Sequence, residues 1–450
     1  MECLIGLDIG TSAVKGVALS SDGKILASKT QEFTYFGKDE NERLINAEDF
    51  VDRCFTAIKE LANTVNNEYH ISAISFCHAS GNTLLLVENN KPLIPIIGWQ
   101  TAIAREDLDE FYTAEEIKEL YKIIGWPVGT HFSTATIPAI KKYRPDIIEK
   151  TATVTMAGEY LNFCLTGKWG ISHSMATPFF LADQEKGEYH KPLLEKLGIA
   201  DKFFPPIYDK GTVLGAVLPE IAEKLGLSED TKIVLGTFDH PSGAMGAGVF
   251  EEGEMLLSCG TSWVEFFPVS TRERAISVGA LVDRFMLDGN RYCVMKSLSS
   301  ISVKINKLRK DLLGEISHKE FDVLSEQAPK GSNGLRFYFD DGDIELAKGR
   351  TKGEIARAIT ESAALMLNEE LEKLRELGLK ADRVTMIGGI TNSSVCVKIV
   401  SDILGVPITV VNGQAAGAVG AALLAGIGVG LYKDEKDAYK KADFTEMYYG

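Results

Sequence analysis

Asp8 lies near the end of a short apolar run, and Gly10, Thr11 and Ser12 follow it directly. The same tripeptide returns as Gly260, Thr261 and Ser262 after the apolar run beginning at Met255. A Gly-Thr-Ser turn between strands leaves backbone N–H groups and small hydroxyls free to face an anion. Glycine also permits the close approach that a phosphate needs. Two such turns, one in each half, predict a duplicated fold holding one polyphosphate between its halves. Asp8 adds a hard oxygen ligand suited to magnesium, directly or through water, although a carboxylate there could also simply cap the turn. Lys15 adds a nearby cation, or a solvated surface lysine. A second carboxylate, Asp239, follows the apolar residues Ile233–Leu235 and precedes a helix-like stretch, the place where a strand's end faces a ligand. It could take the proton of an attacking hydroxyl, or it could cap the helix expected from about Pro241. Gly388, Gly389 and Asn392 follow another buried strand. Flat backbone beside an amide suits the face and edge of an adenine, and a plain strand-to-helix turn is the other reading. These groups supply what phosphoryl transfer requires, namely alignment, charge neutralisation and a proton acceptor.

The elements that must position them are legible in outline. Residues 3–8, 14–20 and 24–32 are apolar or alternating, and Ser21-Asp22-Gly23 is a hairpin signal, so the chain should open as an antiparallel three-strand meander. Asn46 caps a helix running to about Asn63, with Glu48 and Asp49 in its first turn. Strands are expected at 71–76 and 83–87, flanking the polar segment His78-Ala79-Ser80-Gly81-Asn82. Residues 104–150 read as helical, apart from the irregular 125–133 segment containing Pro127. A strand at 233–235 precedes Asp239, and helix-like sequence covers 242–248. The first half should end around Glu251-Glu252-Gly253, where a second meander begins. A long helix is expected over 352–377, with Ala356, Ala363 and Ala364 allowing close packing, then a buried strand over 384–387.

Composition bounds the class. A chain of 450 residues exceeds one ordinary core, so two domains are expected. Hydrophobic content of 45% and charged content of 25% fit a water-soluble globular protein. A net charge of −15 offers no basic excess for nucleic acid. The seven cysteines contain no C-x-x-C pair, which fits reduced thiols in the cytoplasm. No basic region or long apolar stretch marks the start as a signal peptide. The glycine- and alanine-rich run from Ala415 to Leu431 reads as a buried helix and its ending, not a membrane span.

Taken in order, several segments resemble the FGGY carbohydrate kinase family. They are Asp8-Ile9-Gly10-Thr11-Ser12-Ala13-Val14-Lys15, Glu159-Tyr160-Leu161 with Leu165-Thr166-Gly167, and Asp239 with Gly243-Ala244-Met245-Gly246-Ala247-Gly248. Gly260-Thr261-Ser262, Gly388-Gly389-Ile390-Thr391-Asn392-Ser393 and Ala415-Ala416-Gly417-Ala418-Val419-Gly420-Ala421-Ala422 complete the set. The resemblance spans nearly the whole chain, with pentulose kinases (xylulokinases and ribulokinases) as the nearer relatives. It implies an α/β fold of two actin-like, ribonuclease H-like domains with a nucleotide and sugar cleft between them. Residues 1–250 would carry the sugar and the catalytic base, and residues 251–450 the adenine nucleotide. ATP and Mg2+ are the implied cofactors. Gly10, Thr11, Ser12, Lys15, Gly260 and Thr261 would meet the phosphates, Gly388, Gly389 and Asn392 the adenine, and Asp8 the metal. Asp239 would be the base, beside a sugar held by His78, Ser80, Asn82, His131 and His240, any of which histidines could instead be structural.

The chain departs from the family in places. Ala79-Ser80-Gly81 stands where xylulokinases have Met-His-Gly. Trp99 is followed by Gln100-Thr101-Ala102-Ile103 and not by the usual x-Asp-x-Arg. The Gly-Glu-Arg-Thr-Pro segment is missing, and Cys396 and Lys398 replace a common tryptophan and glutamine. The expected activity is magnesium- and ATP-dependent phosphorylation of a hydroxyl on a small sugar, most simply a ketopentose such as xylulose or ribulose. A polyol, sugar acid or hexulose is the alternative within the class, and an actin-like or heat-shock-type ATPase the alternative outside it. A sugar-binding relative that has lost catalysis is a third reading, and the retention of both Asp8 and Asp239 speaks against it. No nucleic acid or membrane partner is expected, and a homodimer is the oligomer considered.

Overall fold

A computed structural model describes the whole chain except residues 39–41, 66–67, 80, 288–290, 341 and 443. Ser80, one of the expected sugar contacts, therefore lies outside the described residues. Contacts divide the chain into two compact units. The first comprises Met1–Gly248, Thr271–Cys293 and Gly417–Phe444; the second comprises Val249–Ser270, Val294–Ala416 and Thr445–Gly450. The expected division at residue 250 follows the sequence. In space, two segments from the expected C-terminal half, Thr271–Cys293 and Gly417–Phe444, are built into the first unit.

The opening meander forms as Glu2–Ile9, Ala13–Ser20 and Ile25–Glu32, with Asp8 opposite Lys15 across the first hairpin. Strand Glu2–Ile9 also runs parallel to His70–His78, which in turn runs parallel to Lys232–Val234. The C-terminal ends of three neighbouring parallel strands thus lie on one edge of a six-stranded sheet. The side chain of Asn46 accepts the N–H groups of Glu48 and Asp49 at 2.8 and 3.0 Å. That satisfies donors otherwise orphaned at a helix start. The helix it caps, Ala47–Val65, buries Phe50, Cys54, Ile58, Leu61 and Val65 against the sheet. The repeat of three to four residues is what puts them on one face.

The glycine- and alanine-rich run becomes the helix Ala416–Gly428. A side chain at Gly420 would come within 1.9 Å of the Ser242 carbonyl oxygen, and one at Gly6 within 1.9 Å of the Ala418 carbonyl oxygen. Small residues are therefore a packing requirement where this helix meets the central strand and the helix Asp239–Gly246. Among the described residues, no helix is long and apolar enough to cross a membrane. All seven cysteines are free.

The second unit repeats the local plan. Glu254–Cys259 and Trp263–Val269 form a hairpin, and the first of these runs parallel to Arg383–Gly388, itself parallel to Ile408–Val410. Met447–Tyr449 adds an antiparallel edge. The long helix Lys352–Glu376 starts in a capping box of Thr351 and Glu354 and packs fully buried alanines, including Ala356, Ala363 and Ala364, into its core.

Candidate active site

In the first unit the expected residues gather at the C-terminal ends of the three parallel strands. Asp8 sits one residue from the end of its strand, beside Cys77 in the parallel register, with the Cys77 Sγ 3.8 Å from its Oδ1. Burial, reinforced by the negative charge of Asp239, pushes the Asp8 carboxyl up to about 6, against the opposing pull of Lys15 and Cys77. The two carboxylates therefore feel one another. Gly10 N–H closes the turn onto the Ala13 carbonyl at 3.0 Å. The Thr11 hydroxyl accepts the indole N–H of Trp99 at 3.0 Å, and the Thr11 carbonyl accepts the Tyr35 hydroxyl. Two aromatic residues thus fix the turn, while Ser12 and Lys15 remain exposed.

Asp239 is the first residue of the helix Asp239–Gly246, three residues earlier than the sequence pattern suggested. Phe238 occupies the cap position without a side-chain cap. The Asp239 Oδ1 is buried and accepts no hydrogen bond among the described residues. His240 stands edge-on to Phe238, with its Nε2 3.8 Å from that oxygen, beyond hydrogen-bonding distance.

His78 is only 3% exposed. Its Nε2 faces the Glu159 carboxylate at 3.3 Å and its Nδ1 faces the Ala79 carbonyl at 3.2 Å. Two acceptors call for two N–H donors, the protonated ring. Burial opposes that charge, but Glu159, the Ala79 carbonyl and Asp239 outweigh it and hold the histidine above its ordinary value. Gly158 makes the pair possible, since a side chain there would meet His78 Nε2 at 2.2 Å. Asn82 spends its carbonyl oxygen on the N–H of Ala157 at 2.7 Å, at the start of the helix Ala157–Thr166. Gly10, Thr11, His78, Asn82, Trp99 and Ala157 line one cavity.

His131 does not line that cavity. It packs edge-on to Phe132, and its Nδ1 is buried with no hydrogen-bond partner among the described residues. Phe132 stacks on Phe180 with centroids 4.4 Å apart, and both have positive φ, 72° and 66°. Such angles are strained for bulky residues. Trp126 stands edge-on to Phe132, Phe180 and Phe238, so one aromatic cluster runs from the 131 segment to the residue before Asp239.

In the second unit Gly260 N–H closes its turn onto the Ser262 carbonyl at 3.1 Å, one residue tighter than the Gly10 turn, which closes onto Ala13. The Ser262 hydroxyl accepts the N–H of Ser300 at 3.0 Å. Gly388 pairs with Cys259 in the parallel register and has φ 101°. A side chain there would lie 2.2 Å from the Cys259 carbonyl oxygen, so only glycine fits. Gly389–Asn392 forms a short 3-10 turn held by the Thr391 hydroxyl on the Gly388 carbonyl, and Asn392 is exposed. Gly260, Thr261, Gly388, Gly389 and Asn392 therefore share one end of the second sheet.

Sequence reasoning missed several residues that build this arrangement. Glu159 was visible only as part of a motif, with nothing to tie it to His78. Trp99 was visible only as the start of a departing motif. The Ser174–Asp283 pair behind Phe238 had no sequence signal at all.

Residues 3–246 match the model of the N-terminal domain of the FGGY family of carbohydrate kinases, and residues 322–429 match that of its C-terminal domain. The chain is 26% identical over 450 residues to a xylulose kinase of Bacillus subtilis (strain 168), covering 96% of this chain and 89% of that one. It is 25% identical over 465 residues to an autoinducer-2 kinase of Yersinia enterocolitica, covering 96% and 87%. A ligand-bound xylulose kinase from Lactobacillus acidophilus shares the fold with a TM-score of 0.88 at 22% identity, over 100% of this chain and 94% of that one. With both family domains matched in order and the same two-unit α/β fold, the chain belongs to the FGGY family of carbohydrate kinases and is a sugar kinase, a phosphotransferase with an alcohol group as acceptor.

Proposed function

We propose that the protein transfers the terminal phosphoryl group of ATP to a hydroxyl of a ketopentose such as xylulose or ribulose. The observation that carries this reading is the convergence of Asp8, His78 and Asp239 on the ends of three adjacent parallel strands, with Asp239 Oδ1 buried and, among the described residues, free of hydrogen bonds. Asp239 would accept the proton of the attacking hydroxyl, whose oxygen forms the new bond to phosphorus as the bond to the ADP oxygen breaks. Asn82 and His240 would stand on the sugar side, with His78 acting as a buried cation beneath it and His131 behind it against Phe132. Gly10, Thr11, Ser12 and Lys15 would meet the phosphates, as would Gly260 and Thr261. Gly388, Gly389 and Asn392 would receive the adenine.

Asp8 fits a magnesium ion. Its carboxyl is destabilised by burial and by Asp239, a condition that a nearby cation relieves. Among the described residues, no group of three or more His, Cys, Asp or Glu could hold a metal by itself. Magnesium would therefore share its coordination with nucleotide phosphates and water. When bound, it would neutralise charge on the transferring phosphates. The names of the relatives favour a ketopentose, and autoinducer-2 is the second candidate they raise.

The test is a coupled ADP-release assay over ketoses, polyols and sugar acids. Turnover should be highest on a ketopentose and should require magnesium. Preferred turnover of a polyol or sugar acid would overturn the substrate assignment, and ATP hydrolysis indifferent to every acceptor would overturn transfer to sugar.

A further inference from the structure

The segment Thr271–Cys293 comes from the second half of the sequence but packs within the first unit. Its strand Leu281–Arg284 carries Asp283, which is completely buried. The Ser174 hydroxyl donates to Asp283 Oδ2 at 2.7 Å, and the Arg284 N–H donates to Asp283 Oδ1 at 2.8 Å. Ser174, itself 2% exposed, accepts the backbone N–H of Phe238 at 3.2 Å. A serine hydroxyl has one proton and two lone pairs. With the proton committed to Asp283, a lone pair is left aimed at Phe238.

Phe238 is the residue before Asp239 and the uncapped start of its helix. Its ring is held edge-on between Trp126 and His240, each 5.2 Å away. The same strand ties down Trp126, whose indole N–H donates to the Val282 carbonyl at 3.1 Å. On the opposite side, a side chain at Gly236 would sit 1.8 Å from the Phe76 carbonyl oxygen, so the approach to Asp239 has no slack there. The turn that aims Asp239 is therefore pinned on one side by the sheet and on the other by Ser174, which Asp283 orients.

We propose that Ser174 and Asp283 are positioning residues, and that the inserted strand sets the aim of the Asp239 carboxylate through the Phe238 peptide. The proposal rests on the reading of Asp239 as proton acceptor. A carboxylate displaced by a fraction of an ångström from its line to the hydroxyl loses rate without losing substrate affinity.

The experiment measures kcat and KM with ATP and xylulose, or with the best acceptor of the screen above, for Ser174→Ala, Asp283→Asn and Ser174→Thr. Each variant is made in the wild-type and Asp239→Asn backgrounds. Ser174→Ala and Asp283→Asn should each lower kcat about ten- to a hundredfold, with much smaller changes in KM. Ser174→Thr, which keeps the hydroxyl, should recover most of the loss. In the Asp239→Asn background the same substitutions should cost nothing further, a readout that general loss of packing would not give. Unchanged kcat in folded Ser174→Ala, or a full loss persisting in the Asp239→Asn background, overturns the proposal. If Ser174→Ala does not fold, Asp283→Asn decides alone by the same criteria. A wild-type kcat in Asp239→Asn itself would instead overturn the base assignment, and this proposal with it.

Discussion

A carboxylate that must take a proton from a hydroxyl is most useful when no other donor occupies its lone pairs. Asp239 meets that condition at Oδ1. Asp239→Asn keeps the shape and removes the acceptor, so kcat should fall by roughly 10²–10⁴-fold, or about 3–5 kcal/mol of barrier. Sugar affinity should change far less, and near-normal kcat on the best acceptor would refute the assignment. The sequence exposed Asp8 and Asp239 because a carboxylate at the end of an apolar run is a local signal. It could not expose the His78–Glu159 pair, whose members are far apart in the chain and meet only because Gly158 leaves room. Glu159→Gln removes the charge that most favours His78 protonation. The His78 titration midpoint, followed by NMR, should fall, and an unchanged midpoint would remove Glu159 as the cause. Because the folded-state value is raised, the pair's contribution to stability is present at low pH and is lost as pH rises through that value.

At the scale of elements, the hairpins and caps were legible because their signals are short-range. Asn46, the Asp22-Gly23 turn and the alanine-rich helix Lys352–Glu376 all formed as the sequence suggested. The start of the helix at Asp239 was set too late, because Pro241 suits any first-turn position and the true boundary is fixed by strand Lys232–Val234 and Gly236. A strand buried on both faces hides another feature from the sequence. Trp263–Val269 is buried throughout, yet it contains Glu265, whose two carboxylate oxygens meet no other residue's hydrogen-bond donor among the described residues. Burial pushes this carboxyl up to about 8, with Glu370 adding to the effect and Lys296 opposing it. Below its ordinary value the group is protonated in both the folded and unfolded chain, so it adds no ionisation term to stability. As pH rises toward about 8 the unfolded chain ionises while the folded one keeps its proton. Stability should therefore fall over that window by about 1.4 kcal/mol per unit of difference. Glu265→Gln removes the titration, and any fixed cost of the amide cancels between pH values. Its thermal midpoint relative to wild type should rise from pH 5 to pH 8.5, and a flat difference would show that Glu265 is solvated.

At the scale of the molecule, two domains were readable from length and from the paired Gly-Thr-Ser turns. Which segments build each unit was not readable, because that depends on contacts between residues hundreds of positions apart. The first unit is completed by Thr271–Cys293 and Gly417–Phe444. The second of these segments supplies the Gly417 carbonyl that accepts the Ser242 hydroxyl at 2.8 Å. It also supplies Val419, Leu423 and Leu424, all essentially buried, on the helix that lies against Gly6. The first segment supplies Asp283 for Ser174 and the Val282 carbonyl for Trp126. A fragment ending at residue 250 would expose that apolar surface and leave Ser174 and Trp126 with unmet hydrogen bonds inside the core. Each unmet buried group costs about 1–3 kcal/mol, against a total stability of about 5–15 kcal/mol for a typical domain. Residues 1–250 expressed alone should therefore lack a cooperative thermal transition and should bind a hydrophobic dye, while the full chain melts cooperatively. A fragment that melts cooperatively with native-like near-ultraviolet circular dichroism would mean the first unit closes its core without the two returning segments, and that their role is confined to the active-site turn.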